Sequence, residues 1–84
     1  MKEIAYSRDA LKALSRMPVN TAKLIRSKIV QYAENPAVLA RNVIKLQGRD
    51  GFRLRVGDWR VIFDDHGNVL HIEAIGPRGG IYGN

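Results

Sequence analysis

The chain contains no cysteine. Disulfide frameworks and cysteine-based zinc sites are therefore excluded. Its two histidines, His66 and His71, do not make a metal site by themselves. No stretch approaches the roughly 20 apolar residues of a membrane span. The opening segment MKEIAYSRDA lacks the long apolar run of a secretory signal, and a cytoplasmic protein is expected. Proline is also sparse, with three residues, so each one is informative as a break in the chain.

Acidic residues are the other scarcity. Eight Asp and Glu stand against 14 Lys and Arg, for a net charge of +6 over 84 residues. That excess favours anionic partners: nucleic acid, a ribosome surface or an acidic protein. The length predicts one domain, with stability on the order of 4–12 kcal/mol by the per-residue rule. A chain this short has no room for a second catalytic domain or a large enclosed pocket. Its function belongs on an open surface, or is completed by a partner.

Lys2 to Tyr6 alternates weakly, as a short first strand would. Ser7 is placed to cap a helix whose apolar residues are Ala10, Leu11, Ala13, Leu14 and Met17. Pro18 stops that helix near Met17. Asn20 or Thr21 is placed to cap a second helix with an apolar face of Leu24, Ile25, Ile29, Tyr32 and Ala33, ended by Asn35-Pro36. The short link predicts an antiparallel helical hairpin. Lys23, Arg26 and Lys28 lie on the opposite helix face, as a solvated surface or a docking surface for nucleic acid or ribosome.

Residues 37–42 read as an irregular connector, and Ile44 to Gly48 leads into a turn. From Phe52 the period becomes two. Phe52, Leu54 and Val56 share one face, and Arg53 and Arg55 the other. Gly57-Asp58 suits a two-residue hairpin turn. Trp59, Val61 and Phe63 alternate with Arg60, Ile62 and Asp64, and Leu70, Ile72 and Ala74 alternate with His71 and Glu73. Burying the apolar sheet face under the helices predicts an α+β two-layer domain of order β-α-α-β-β-β, with a small, mainly antiparallel sheet. The second sheet face, with Arg53, Arg55, Arg60, His71 and Glu73, is expected to stay open. Arg53 and Arg60 could pair there with Glu73 and Asp64, but four arginines, with Arg78, outnumber the acids nearby.

The element order and local motifs resemble the RelE/ParE superfamily of toxins from type II toxin–antitoxin pairs. Lys45-Leu46-Gln47-Gly48 looks like the family's K-L-x-G, and Phe52-Arg53-Leu54-Arg55 its aromatic–basic–apolar–basic strand. Gly57-Asp58-Trp59-Arg60-Val61 resembles G-[DS]-[YW]-R-[VL], and Gly76-Pro77-Arg78 with Tyr82 resembles the family's ending. The likeness covers essentially the whole chain and implies a single toxin domain over residues 1–84. It favours the RelE-like branch, whose members cut messenger RNA in the ribosomal A site. The ParE-like branch, which poisons DNA gyrase without catalysis, is the alternative. A degenerate toxin acting only within an antitoxin repressor complex is a further one.

For the RelE-like reading the resemblance implies catalytic roles for Arg55, Arg60, Arg78 and Tyr82, with RNA or phosphate contacts from Lys45, Arg53, Lys23 and Arg26. The implied reaction is attack of a 2′-hydroxyl on the adjacent phosphate, leaving a 2′,3′-cyclic phosphate, with no metal or other cofactor. Arg53 and Arg55 stand where that branch often has lysines. An arginine stays protonated, with pKa above about 12, and is a poor proton shuttle. Proton transfer would fall to Tyr82, to His71, to Glu73 or to a ribosomal group. His71 has the right face parity and titrates in a usable range, but a surface histidine reads the same way. Tyr82 can equally be a packing residue. Trp59 shares parity with Val61 and Phe63, and is expected in the core. The implied partners are an antitoxin with an acidic wrapping segment, the ribosome and messenger RNA, and DNA only through the antitoxin complex.

Overall fold

The computed structural model describes residues 1–79. Strand β1 (Glu3–Tyr6) is followed by helices α1 (Arg8–Arg16) and α2 (Val19–Glu34) and a 3-10 segment (Pro36–Asn42). Four strands follow: β2 (Val43–Lys45), β3 (Phe52–Val56), β4 (Trp59–Asp65) and β5 (Val69–Pro77). They form one sheet of order β1-β5-β4-β3-β2. β1 runs parallel to β5, and every other pairing is antiparallel. The expected α+β architecture is present with one strand more than expected. β2 has only three residues at the sheet edge, too few to show alternation in the sequence.

Ser7 caps α1 as anticipated: its Oγ accepts from the Ala10 N–H at 3.0 Å. The same hydroxyl donates to the Glu73 carbonyl at 2.6 Å, so the cap also fastens α1 to β5. The start of α2 differs from expectation. Pro18 occupies the N-cap position with no side-chain bond, and the helix begins at Val19, ahead of Asn20 and Thr21. A proline suits a helix entrance because it has no N–H to leave unsatisfied. The buried face of α2 is Ile25, Ile29, Tyr32 and Ala33. Leu24, assigned to that face from the sequence, is 50% exposed.

The core between helices and sheet joins Leu14, Ile25 and Ile29 to Leu54, Val61, Phe63, Leu70 and Ile72. Phe63 is its centre, with Tyr32 edge-on at 5.1 Å and Phe52 stacked at 5.6 Å between ring centroids. Trp59 packs against this cluster, as its parity required. Lys2 reaches across to Asp65, with Nζ 2.6 Å from both carboxylate oxygens, and ties β1 to the far end of β4.

Two features depart from simple alternation. Phe63 pairs with Ile72 but Ile62 pairs with Ala74, so Glu73 is an extra residue in β5. After this bulge the faces exchange. Ile75 enters the core opposite Val61, and Ala74, expected in the core, lies opposite Ile62 on the other face. The second departure is that this other face is only half open. Ile62 is fully buried and Leu46 is 7% exposed, yet neither belongs to the core under the helices. Residues 46–51 fold back over the face, held by Leu46 N–H to the Gly51 carbonyl and by Arg49 reaching Glu73 at 3.4 Å. Gly51 sits at φ +114°, where a Cβ would come within 2.8 Å of an Asp64 carboxylate oxygen and 3.1 Å of the Phe63 carbonyl. Only glycine fits such a close approach at this backbone angle.

Candidate nucleic-acid interface

The remaining half of that face is a surface of arginines. Arg53 and Arg55 alternate with Leu54 on β3, and Arg60 lies directly across from Arg55 on β4. Like charges facing each other across a strand pair are destabilising, so this register has to be held by the apolar side of the sheet. It is held there by Leu54 opposite Val61 and Val56 opposite Trp59. The Gly57-Asp58 turn closes the hairpin, with Gly57 at φ +58° supplying the left-handed corner.

Arg60 is fixed by the turn it follows. Its Nη1 donates to the carbonyls of Gly57 at 3.0 Å and Trp59 at 2.9 Å. Among the described residues those bonds engage Nη1 alone, which leaves Nε and Nη2 to fork onto an anion. The Arg60 pKa is lowered by desolvation first, then by the positive charges of Arg53, Arg55 and Arg78, against a smaller opposing effect of Asp58. Arg78 comes close because β5 continues alongside β4: Gly76 pairs with Arg60, and the Arg78 N–H donates to the Asp58 carbonyl at 2.7 Å.

Arg53, Arg55 and Arg60 line an open recess of about 210 Å³ together with Arg41, Asn42 and Ile44. Arg41 was not anticipated. It lies in the connector before β2, where no periodicity assigned it a face, and its only signal was a further basic residue in a basic chain. Glu73 pairs with Arg49, and Asp64 lies 3.9 Å from His66 Nε2. Among the described residues, the recess has no carboxylate in its lining.

The other anticipated residues lie apart from it. Lys45 pairs with Phe52, which places it on the helix-facing side of β2, across the sheet from Arg53. Lys23 and Arg26 are on α2, in the helical layer, and the Arg26 guanidinium stacks 5.1 Å over the Tyr6 ring. His71 shares the face of Arg60 but pairs with Asp64, four residues further along β4, or about 13 Å at 3.3 Å per residue. Its neighbour is His66, with ring centroids 6.4 Å apart, and the covered Ile62 stands between it and the arginines. Tyr82 lies outside the described residues. Among the described residues no cluster of His, Asp or Glu is arranged to hold a metal ion, and no helix is long and apolar enough to cross a membrane.

Residues 4–82 match the sequence model of the family described as ParE toxin of type II toxin-antitoxin system, parDE. The chain belongs to this family, within the RelE/ParE superfamily, and its fold is RelE-like. The archaeal RelE–RelB complex from Pyrococcus horikoshii OT3 is similar at 27% identity and a TM-score of 0.76, over 94% of this chain and 97% of that one. The isolated RelE toxin of E. coli is 19% identical with a TM-score of 0.74, over 93% and 85% of the two chains. YafQ from E. coli strain BL21(DE3) is 20% identical with a TM-score of 0.64, over 99% and 100%. No curated protein sequence matches significantly.

Proposed function

We infer that this toxin is a ribosome-dependent endoribonuclease of the RelE-like kind. The observation that carries the reading is the recess itself: Arg53, Arg55 and Arg60 converge on it, its lining holds no carboxylate among the described residues, and Arg78 is fastened beside it through the Asp58 carbonyl. Guanidinium groups fork onto phosphate oxygens and stabilise the extra charge that develops on phosphorus. In the reaction the 2′-oxygen bonds to phosphorus, the bond from phosphorus to the 5′-oxygen breaks, and a 2′,3′-cyclic phosphate and a 5′-hydroxyl result. One proton leaves the 2′-hydroxyl and one arrives on the 5′-oxygen.

The arginines supply charge, not proton transfer. His71 stands too far along the strand to serve the same phosphate. The proton work is assigned to Tyr82 or to a ribosomal group, which accords with a nuclease that depends on the ribosome. An acidic antitoxin segment would neutralise the same surface. Several similar structures are toxin–antitoxin complexes, including the RelB–RelE antitoxin–toxin complex of Methanococcus jannaschii. Contact with DNA would come only through the antitoxin, and the toxin would act in the cytoplasm.

The test is cleavage of a defined messenger RNA by purified toxin, with and without programmed ribosomes, mapped by primer extension. Cuts within A-site codons only when ribosomes are present are expected. The ParE family match favours a second reading, a gyrase inhibitor. Intact RNA in both arms, with loss of gyrase supercoiling activity, would select it.

A further inference from the structure

The recess lining is one-sided in its hydrogen bonding. Four of its side chains are guanidinium groups, which donate and cannot accept, and Ile44 does neither. Among the described residues, the amide oxygen of Asn42 is therefore the one side-chain acceptor in the lining. Its place follows from the register. Val43 pairs with Leu54 and packs on the core under the helices, so Asn42, one residue earlier, turns to the arginine side, where it lines the recess. The same register carried back one step sets Asn42 across from Arg55, which pairs in turn with Arg60. Asn42, Arg55 and Arg60 thus make one row, in that order, about 5 Å apart from strand to strand. The segment is also anchored: the Val43 N–H donates to the Ala40 carbonyl and closes the 3-10 turn that carries Asn42.

We propose that Asn42 tells ribose from deoxyribose, its amide oxygen accepting a hydrogen bond from the 2′-hydroxyl beside the reacting phosphate. Phosphate oxygens only accept, and the arginines answer them. A 2′-hydroxyl also donates, and it is the group by which a protein distinguishes RNA from DNA. It sits on the sugar carbon next to the one that carries the reacting phosphate. With that phosphate on Arg55 and Arg60, the hydroxyl reaches Asn42 across one strand spacing. This rests on the reading of the arginine face as an RNA site. It makes Asn42 a specificity-determining residue. The neutral amide does not take the proton, and the contact ends when the base does, so Asn42 acts on binding and not on bond breaking. A deoxyribonucleotide meets the same arginines but brings no sugar hydroxyl to this acceptor.

The test titrates the toxin, without ribosomes, onto fluorescein-labelled oligouridylate and its 2′-deoxy counterpart, which share bases and phosphates, and follows binding by anisotropy. The wild-type protein is expected to prefer the ribose form about fivefold, as for one neutral hydrogen bond. Asn42→Leu should bring the ratio of the two affinities to within twofold of one, with the deoxy form bound as before. Asn42→Asp keeps an acceptor and should preserve the ratio while weakening both ligands through its charge. Arg60→Gln should also weaken both and preserve the ratio. Both ligands meet the same protein sample, so a misfolded fraction lowers its active concentration for each alike and leaves the ratio intact. A wild-type protein without the preference, or an Asn42→Leu variant that retains it, overturns the assignment. A preference that depends on Asn42, in a toxin that leaves messenger RNA intact on ribosomes, would refute the nuclease reading and leave the assignment standing. Cutting on ribosomes by a toxin with no such preference would do the reverse.

Discussion

Replacing Ser7 by alanine removes two bonds made by one oxygen. The hydroxyl accepts from the Ala10 N–H and donates to the Glu73 carbonyl, the carbonyl of the bulged residue in β5. Loss of an N-cap costs about 1 kcal/mol. Leaving the half-buried carbonyl without its donor adds about 1–2 kcal/mol, so the sum is about 2–3 kcal/mol. For a domain of this size each kcal/mol lowers the Tm by about 4–8 °C. A fall of at least about 8 °C is therefore expected, read by circular dichroism, with a matching shift of the urea midpoint at unchanged slope. Ser7→Thr keeps the hydroxyl and should recover most of the loss. A Ser7→Ala variant within about 0.5 kcal/mol of wild type, the usual range for an inert surface change, would refute the claim that this residue fastens the helix to the bulge.

Gly51→Ala should destabilise by about 1–3 kcal/mol in urea unfolding, because φ +114° is strained for any side chain and the new Cβ meets Asp64 and the Phe63 carbonyl; a neutral result would show that the 46–51 segment shifts freely. Arg60→Gln should reduce cleavage by about 10²-fold or more while leaving the Tm equal or higher, since the charge removed is crowded by Arg53, Arg55 and Arg78; a lower Tm would make Arg60 structural. Burial raises the pKa of Tyr6 and Tyr32, an effect opposed at Tyr6 by Arg26 and reinforced at Tyr32 by Asp65. Folding thus favours the neutral phenols, and their contribution is fully present below the unfolded value near 10 and lost as pH rises through the higher folded values. Thermal melts between pH 8 and 11 should show a decline that the double variant Tyr6→Phe, Tyr32→Phe diminishes; an unchanged decline would refute the assignment.

Much of this architecture was legible because alternation is a local signal. Phe52-Arg53-Leu54-Arg55-Val56 and Trp59 to Phe63 show their two faces residue by residue, and the arginine pairing follows once the turn at Gly57 is placed. What escaped was set by tertiary structure. Nothing local marks Glu73 as the bulge, since its neighbours alternate acceptably in either phase; the bulge shows only in pairing with β4. Ile62 fell on the polar face by parity, and its burial goes with the loop of residues 46–51 folding back over that face, which nothing in the strand itself encodes. Leu24 lies next to Ile25 in sequence, but the stripe that α2 buries is Ile25, Ile29, Tyr32 and Ala33. Arg41 was invisible for the opposite reason: a 3-10 segment kinked at Leu39 assigns no face until β2 docks at the sheet edge.

The crowding around Arg60 gives the free toxin a thermodynamic handle. A polyanion seated in the recess interacts with a folded array that the unfolded chain does not possess, so occupancy and stability rise together. At a ligand concentration of 100 times Kd the gain is about 2.7 kcal/mol, equivalent to about 10 °C or more for a domain of this length. Heat tolerance would therefore report what the toxin is bound to, and a cell that withdraws the antitoxin would release a less stable protein whose lifetime depends on how soon it finds another anion.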